Sequence, residues 1–433
     1  MQARISALQF KQSQLNKYPN ASLGANAGWQ FGRSIDPTTN QFTTTQLFYQ
    51  NWQAQGGATI FGFGRLKNIA RGAAFNLKAA EAEVERTANS IALSVANYYL
   101  QVLAAQEQIK IVGVQIDQTQ TQLNITRIKV DAGALPELNL LEVEAQLATD
   151  SSNYISAQST YEQSLISLKA LLNIDMASPF EITTPPVETI PLEPLADLEP
   201  EYVYNLARIN QPLTREDSFK VEAAKRTILA DKASFYPSVS GFYSLGTTFN
   251  NQSLGVIGST TVDNVPIGKV NINGTNYQVF ANEPFTQNIY GKTGYFKQLN
   301  NNFSQGVGIS LSIPIFNNGS IRTNYENSKL NLRSLELQKQ QNEQNLKSDI
   351  YNAYTSAIAS MEKYFASGKS VASSQKAYDF AQKRYEVGLI STMDLLIYQN
   401  NLLTAKLQQL ANHFDYVFKM KVLEYYKTNT IKL

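Results

Sequence analysis

The sequence predicts an α+β membrane protein in which short strands of bilayer-crossing length alternate with long antiparallel coiled-coil helices. Three observations lead to this fold class: an internal repeat, four segments with apolar residues at alternate positions, and a sustained heptad pattern. Only 17% of the 433 residues are charged, whereas about a quarter is usual in soluble domains. Asn, Gln, Ser and Thr, 137 residues together, make up the difference. The surface is therefore polar but poorly charged.

Composition excludes several classes of protein. A net charge of +2 argues against nucleic-acid binding, which relies on neutralising phosphates. The absence of cysteine excludes disulfide scaffolds and thiolate metal sites. The only histidine, His413, has no second His or Cys to complete a site, and we expect it to be an ordinary helical side chain. The sequence contains no P-loop, no histidine-based triad and no run of 18 apolar residues. We therefore expect neither an enzyme nor a cofactor.

The chain contains two copies of one pattern. Residues 60–64 resemble 315–319, and Gly133 with its following Leu-Asn-Leu-Leu resembles Gly388 with its following Met-Asp-Leu-Leu; both pairs are 255 residues apart. Tyr18-Pro19 resembles Tyr236-Pro237 at a separation of 218, which places a 37-residue insertion in the second copy. We divide the chain into a first repeat (1–173), a proline-rich linker expected to be extended or irregular (174–212), and a second repeat (213–433).

Each repeat contains two segments that alternate between apolar and small polar residues, which is typical of strands with one apolar face. Their lengths suit the 9–11 residues that cross a bilayer, and their polar faces are uncharged. These features favour membrane strands over a soluble sandwich. The predicted hairpins are 21–61 and 238–316, with polar loops at 32–51 and 250–302 expected outside the cell. The residues predicted to face lipid are Leu23, Trp29, Trp52, Ile60, Tyr243, Leu245, Val307, Ile309, Leu311 and Ile313.

Long helices follow each hairpin. Val95, Val102 and Ile109 begin a row of apolar residues spaced by seven, which is the seam of a coiled coil. The pattern predicts long helices over 65–130 and 320–386, and returning helices over 137–172 and 392–427. A helix over 215–234 precedes the second hairpin, and a partial helix over 2–17 precedes the first. Their surfaces carry Gln, Asn, Ser and Ala instead of Glu/Lys pairs, which favours a wall with water on both sides.

Four strands are too few to close a barrel, because about eight is the minimum. In lipid, an open sheet edge leaves backbone groups unpaired at a cost of several kcal/mol each. We therefore expect copies of the chain to associate into a barrel of 8, 12 or 16 strands.

This order of elements resembles the TolC-type outer-membrane efflux proteins. The residues 384–388, Arg-Tyr-Glu-Val-Gly, and 394–396, Asp-Leu-Leu, are similar to the family's Arg-Tyr-x-x-Gly and Asp-Val-Leu pattern at a helical hairpin tip. Pro237 before one strand and Pro314-Ile315-Phe316 after another also match. The resemblance covers nearly the whole chain, although the first tip, 131–136, is degenerate. The family's signal peptide and complete first helix pair are missing, so the chain resembles an N-terminally shortened member.

The resemblance implies a homotrimer, with a 12-stranded barrel in outer-membrane lipid and a helical tunnel in the periplasm. It implies a passive exit duct for efflux or type I secretion, joined to an inner-membrane transporter by a periplasmic adaptor. It also implies that Asp394 forms one acidic ring of a periplasmic gate; the family's second acidic position is Ile397 here. The tip residues implied to contact the adaptor are Gly133, Ala134, Leu135, Val387, Gly388 and Leu389.

The residues alone leave alternatives open. The glycines equally well permit only a turn, and the alternative for Asp394 is a helix N-cap or first-turn carboxylate favoured by the helix dipole. A soluble periplasmic or cytosolic coiled-coil scaffold would form a rod without detergent. An autonomous general porin would conduct without the long helices.

Overall fold

The computed structural model describes residues 1–35, 41–183 and 190–431. These residues form two compact units, one made of 1–6, 74–223 and 330–433 and the other of 7–73 and 224–329. The predicted α+β fold class is confirmed.

The elements in chain order are α1 (Gln2–Leu15), β1 (Asn20–Ile35), β2 (Phe42–Phe61), α2 (Arg65–Asp131), α3 (Glu137–Leu172), a 3-10 turn (Leu195–Leu198), α4 (Pro200–Asn210), α5 (Pro212–Ala233), β3 (Ser238–Asn250), β4 (Leu254–Val262), β5 (Pro266–Ile272), β6 (Thr275–Phe280), β7 (Phe285–Lys292), α6 (Tyr295–Asn301), β8 (Ser304–Ser312), α7 (Ser320–Glu386) and α8 (Thr392–Thr428).

The second unit is built on a four-stranded antiparallel sheet with the order β1-β2-β3-β8. Its register sets Ala54 of β2 opposite both Leu23 and Leu245, and Tyr243 opposite Val307. Because side chains alternate between faces along a strand, this register gathers most of the apolar residues of the four strands on one face. That face is open: Val307 is 89% exposed and Ile309 is 72% exposed. The other face carries mainly Ser, Gly, Asn, Gln and Thr.

Three of the predicted lipid-facing residues are either not fully exposed or not part of a regularly paired strand. Ile60 lies at a β-bulge, between the paired residues Thr59 and Phe61. Ile313 is exposed but follows the last residue of β8. Tyr243 is half-buried. In the opposite sense, the aromatic ring of Phe242 belongs to the polar face, where it lies over Gly308.

The predicted loops are more ordered than expected. β1 extends to Ile35 and β2 begins at Phe42, so most of the predicted 32–51 loop is strand; residues 36–40 lie outside the described residues. The predicted 250–302 loop contains the β4–β7 and β5–β6 hairpins and the short helix α6. Threonine and aromatic side chains favour strands, and these polar segments pair although they lack an apolar alternation.

The first unit is helical, and its core lies between helices. Leu198, Val203 and Ala207 pack with Ile350 of α7 and with Met420 and Leu423 of α8. The linker is therefore not wholly irregular, because it supplies the 3-10 turn and α4 to this core. Two buried lysines hold its extended parts: Lys169 donates to the carbonyls of Met176 and Ser178 at 2.8 and 2.7 Å, and Lys421 to that of Pro191 at 2.6 Å. These bonds satisfy cations that burial would otherwise penalise.

Candidate functional site

Both helical hairpins turn through the same backbone motif. Gly133 and Gly388 have φ of 73° and 75°. At the first tip the amide of Gly133 donates to Val130 at 2.8 Å, and that of Ala134 donates to Lys129 at 2.8 Å. At the second tip the amides of Gly388 and Leu389 repeat these bonds to the carbonyls of Tyr385 and Arg384. This is the Schellman motif, whose left-handed residue is usually glycine because it lacks a Cβ.

The tips present apolar side chains to solvent. Val387 and Leu389 are 70% and 68% exposed. At the first tip Ala134 is exposed and Leu135 is half-buried. Exposed apolar residues on both sides of a rigid turn form a surface that a partner can cover. Apart from forming the turn, the predicted tip residues are thus distinguished by these exposed apolar side chains.

Asp394 belongs to a capping box at the start of α8. The backbone amide of Asp394 donates to Ser391 Oγ at 3.1 Å, and the Ser391 amide donates back to Asp394 Oδ2 at 3.1 Å. Ser391 Oγ also lies 2.7 Å from Asp394 Oδ2. Hydrogen bonds from the Ser391 side chain and backbone lower the pKa of Asp394, and the charge of Arg384 adds to this. The carboxylate is exposed and stabilises the helix start.

A chain of polar side chains joins the two hairpins near their tips. Asn139 Nδ2 of α3 donates to Thr392 Oγ1 of α8 at 2.6 Å. Thr392 Oγ1 donates to the hydroxyl of Tyr385 at 3.4 Å, and Tyr385 OH lies 3.5 Å from Thr126 Oγ1 of α2. Thr126 and Thr392 are fully buried. Sequence reasoning missed this contact; polar residues within the heptad seam are its only sequence signal.

A second polar layer lies deeper in the helical unit. Asp150 of α3 is 1% exposed and accepts hydrogen bonds from Thr119 Oγ1 at 2.6 Å and from Gln146 Nε2 at 2.8 Å. Thr119 accepts in turn from Gln399 Nε2 of α8 at 2.9 Å. The layer thus ties α2, α3 and α8 together through groups that would be costly to leave unpaired. Neither layer was predicted from the sequence.

Two other predicted features can be placed. His413 of α8 stacks on Tyr364 with ring centroids 4.6 Å apart, so the ring is packed. Within the described ranges there is no cluster of three or more His, Cys, Asp or Glu residues able to hold a metal ion. In the same part of the chain, no helix is both long and apolar enough to cross a membrane.

Comparison with known proteins gives consistent matches over most of the chain. A family model described as outer membrane efflux protein matches residues 4–173 and 203–417. The toluene efflux pump outer membrane protein TtgC of Pseudomonas putida is 22% identical over 348 residues, which cover 79% of this chain and 61% of that protein. The antibiotic efflux pump outer membrane protein ArpC of the same species matches over the same shares. The chain therefore aligns with less than two thirds of the length of these relatives.

Solved structures show the same fold at low sequence identity. A crystal structure of CusC superposes with a TM-score of 0.75 at 17% identity, covering 98% of this chain and 86% of that one. The Campylobacter jejuni CmeC outer membrane channel superposes with a TM-score of 0.72 at 17% identity, covering 99% of this chain and 82% of that one.

Proposed function

The chain belongs to the outer membrane efflux protein family, and from this membership we propose that it forms the outer-membrane exit duct of a tripartite efflux or type I secretion system. The duct is passive, because an inner-membrane transporter supplies the energy and a periplasmic adaptor connects the two. The sheet lies in the outer membrane with its apolar face toward lipid, and the helices lie in the periplasm. The observation that carries this proposal is the four-stranded sheet with one exposed apolar face and two open edges.

The open edges require neighbouring copies. β1 and β8 each pair on one side only in the sheet, and an unpaired edge in hydrocarbon costs several kcal/mol per backbone group. Pairing β8 of one copy with β1 of the next removes both edges. Three copies give 12 strands, which we propose as the barrel.

The internal repeat predicts the register between copies. Within one chain, Gln55 of β2 lies opposite Ser244 of β3. Moving Gln55 forward by 255 residues gives Ser310 of β8, and moving Ser244 back by 218 gives Asn26 of β1. If β8 pairs with β1 of the neighbouring copy in the same register as β2 pairs with β3 within one chain, Ser310 lies opposite the neighbour's Asn26.

Cysteine cross-linking tests the duct directly, since the chain has no cysteine of its own. Directly opposite residues on paired strands have Cα atoms about 4.5–5.5 Å apart, within the range a disulfide spans. The double variant Asn26→Cys with Ser310→Cys should therefore oxidise to a covalent trimer on a denaturing gel. The matched control, Asn26→Cys with Ile309→Cys, places one thiol on the other face and should stay monomeric. Monomers from both variants in detergent-extracted membranes would contradict the closed barrel.

We propose further that the tips contact the adaptor through their exposed apolar side chains. Leu389→Asp adds a charge at a residue whose side chain is 68% exposed, and it leaves the Gly388 turn intact. We expect trimers of normal stability whose adaptor binding is weakened, because burying an unpaired charge is costly. Leu138→Asp, on an exposed residue just past the first tip, compares the two hairpins. Unchanged adaptor affinity in both variants would show that the tip residues form the turns but do not contact the adaptor.

A further inference from the structure

A pocket of about 710 Å³ lies at the end of the sheet where β2 ends and β3 begins. Thr59, Ser238 and Ser312 line it, and the strand register assigns all three to the polar face of the sheet. The first turn of α2 forms another wall. The pocket therefore borders the polar face of the sheet and lies entirely within the sheet-containing unit.

Three cationic side chains line this pocket: Lys17, Arg65 and Lys67. None of the described residues that line it is acidic. Arg65 Nε donates to Ser234 Oγ at 3.2 Å, which holds its side chain against the wall. Lys17 and Lys67 have no ion pair or side-chain hydrogen bond with any residue that the structure describes. Their charges are thus available to a ligand.

Arg65 and Lys67 lie at a helix N-terminus, where the helix dipole destabilises positive charge. Arg65 and Lys67 are the first and third residues of α2, and that first turn contains no acidic residue. The N-terminal end of a helix carries partial positive charge and favours carboxylates there. Lys67 also has a counterpart in the second repeat, because the residue 255 positions later is Arg322, the third residue of α7. A repeated cation in an unfavourable position is the arrangement expected of an anion site.

The rest of the polar face supplies no competing charge. The described residues of the four strands that belong to this face are uncharged. The strands therefore contribute no carboxylate that would offset the three cations, and a cluster of like charges concentrates anions. Hydroxyls from Thr59, Ser238 and Ser312 line the same pocket and can donate to oxyanion oxygens.

We propose that this pocket binds a soluble oxyanion of the phosphate class. The cations and hydroxyls hold its oxygens, as charge-assisted hydrogen bonds favour. Because all three cations are solvent-exposed, binding is weak and falls as salt is added. The site does not require the proposed duct. In a closed barrel, however, it would place a cationic ring on the path of exported solutes.

Calorimetric titration of inorganic pyrophosphate into the full chain in neutral detergent, at fixed ionic strength, tests the site. We expect binding beyond a chloride blank, with Lys67→Gln and Lys17→Gln each reducing affinity about two- to fivefold, the scale of an exposed ion pair. Lys232→Gln is the matched control, since Lys232 lies close to Ala233 but lines a different pocket. Circular dichroism establishes that each variant remains folded.

Three results would overturn the proposal. They are no pyrophosphate binding above the blank, equal affinity of Lys67→Gln, Lys17→Gln and wild type, and an equal loss in Lys232→Gln. A fourth arm separates a soluble anion from a lipid headgroup: phosphatidylglycerol added to the micelles should leave the pyrophosphate affinity unchanged. Competition by the lipid would overturn the assignment to a soluble ligand. Failure of this binding leaves the cross-linking test of the duct unaffected, and the reverse also holds.

Discussion

At the residue scale, substitutions can separate the capping role of Asp394 in the structure from its proposed role in a gate. Ser391→Ala removes the hydroxyl that caps the Asp394 amide but keeps the carboxylate, and should cost about 1 kcal/mol of stability. Asp394→Asn removes the charge. If three carboxylates line a gate, only Asp394→Asn should reduce cation selectivity and block by divalent cations in planar bilayers. Equal selectivity in both variants and in wild type would leave Asp394 as a capping residue.

The pH dependence of this cap has a definite sign. Hydrogen bonds from Ser391 lower the pKa of Asp394 below its ordinary value of 3.8. Its contribution to stability is therefore complete above that value and is lost as pH falls through the lowered pKa. Asn139, which occupies the matching position of the first repeat, is not a neutral comparison for Asp394, because its amide donates to Thr392 across the hairpins.

The sheet register makes a second prediction at the residue scale. Ile309 belongs to the apolar face and is 72% exposed, so Ile309→Arg should destabilise the membrane-inserted form by roughly 2–4 kcal/mol near the bilayer midplane. Ser310→Arg, one residue along the same strand, points to the polar face and should assemble nearly normally. Gly308→Arg is a poorer control, since a Cβ there would lie 2.6 Å from Phe242 Cζ. Equal yields of heat-resistant trimers from the Ile309 and Ser310 variants would refute the lipid assignment.

At the scale of elements, the polar layer around Asp150 should hold α2, α3 and α8 in register. Thr119→Val keeps the shape of the side chain but leaves Asp150 Oδ2 and Gln399 Nε2 each without one partner. Two such buried groups should lower the free energy of unfolding by about 2–5 kcal/mol. Thr121→Val is the control, because Thr121 is exposed on the same helix and bonds only to its own turn. Similar denaturation midpoints for both variants would show that the layer contributes little.

Sequence patterns predicted the elements unequally well. The strands were recognisable because alternation ties each apolar residue to one face, and the register confirms that Leu23, Leu245 and Val307 share it. The loops were overestimated because the polar segments from Phe42 onward pair through their backbones without an apolar alternation. The Asn139–Thr392 bond could not be predicted, since it depends on how two hairpins 253 residues apart along the chain face each other.

At the scale of the whole molecule, the repeat carried the most information. The shared 255-residue separation of the tip and corner glycines identified two copies of one architecture, and the two Schellman turns have the same bonds. What the repeat could not supply was the chemistry of positions that differ between copies. The capping box at Ser391 has Pro136 as its first-repeat counterpart, which forms no side-chain cap.

In the proposed duct, the two open edges of the sheet would also set how quickly the protein matures. A protomer whose β1 and β8 lack neighbours has no stable place in lipid, so insertion must be coupled to an encounter between chains. The rate of maturation should then rise more steeply than linearly with the supply of newly made protomers. A short supply would prolong the lifetime of single chains whose edges are free to pair with any exposed strand, and such chains are the ones that aggregate or are degraded.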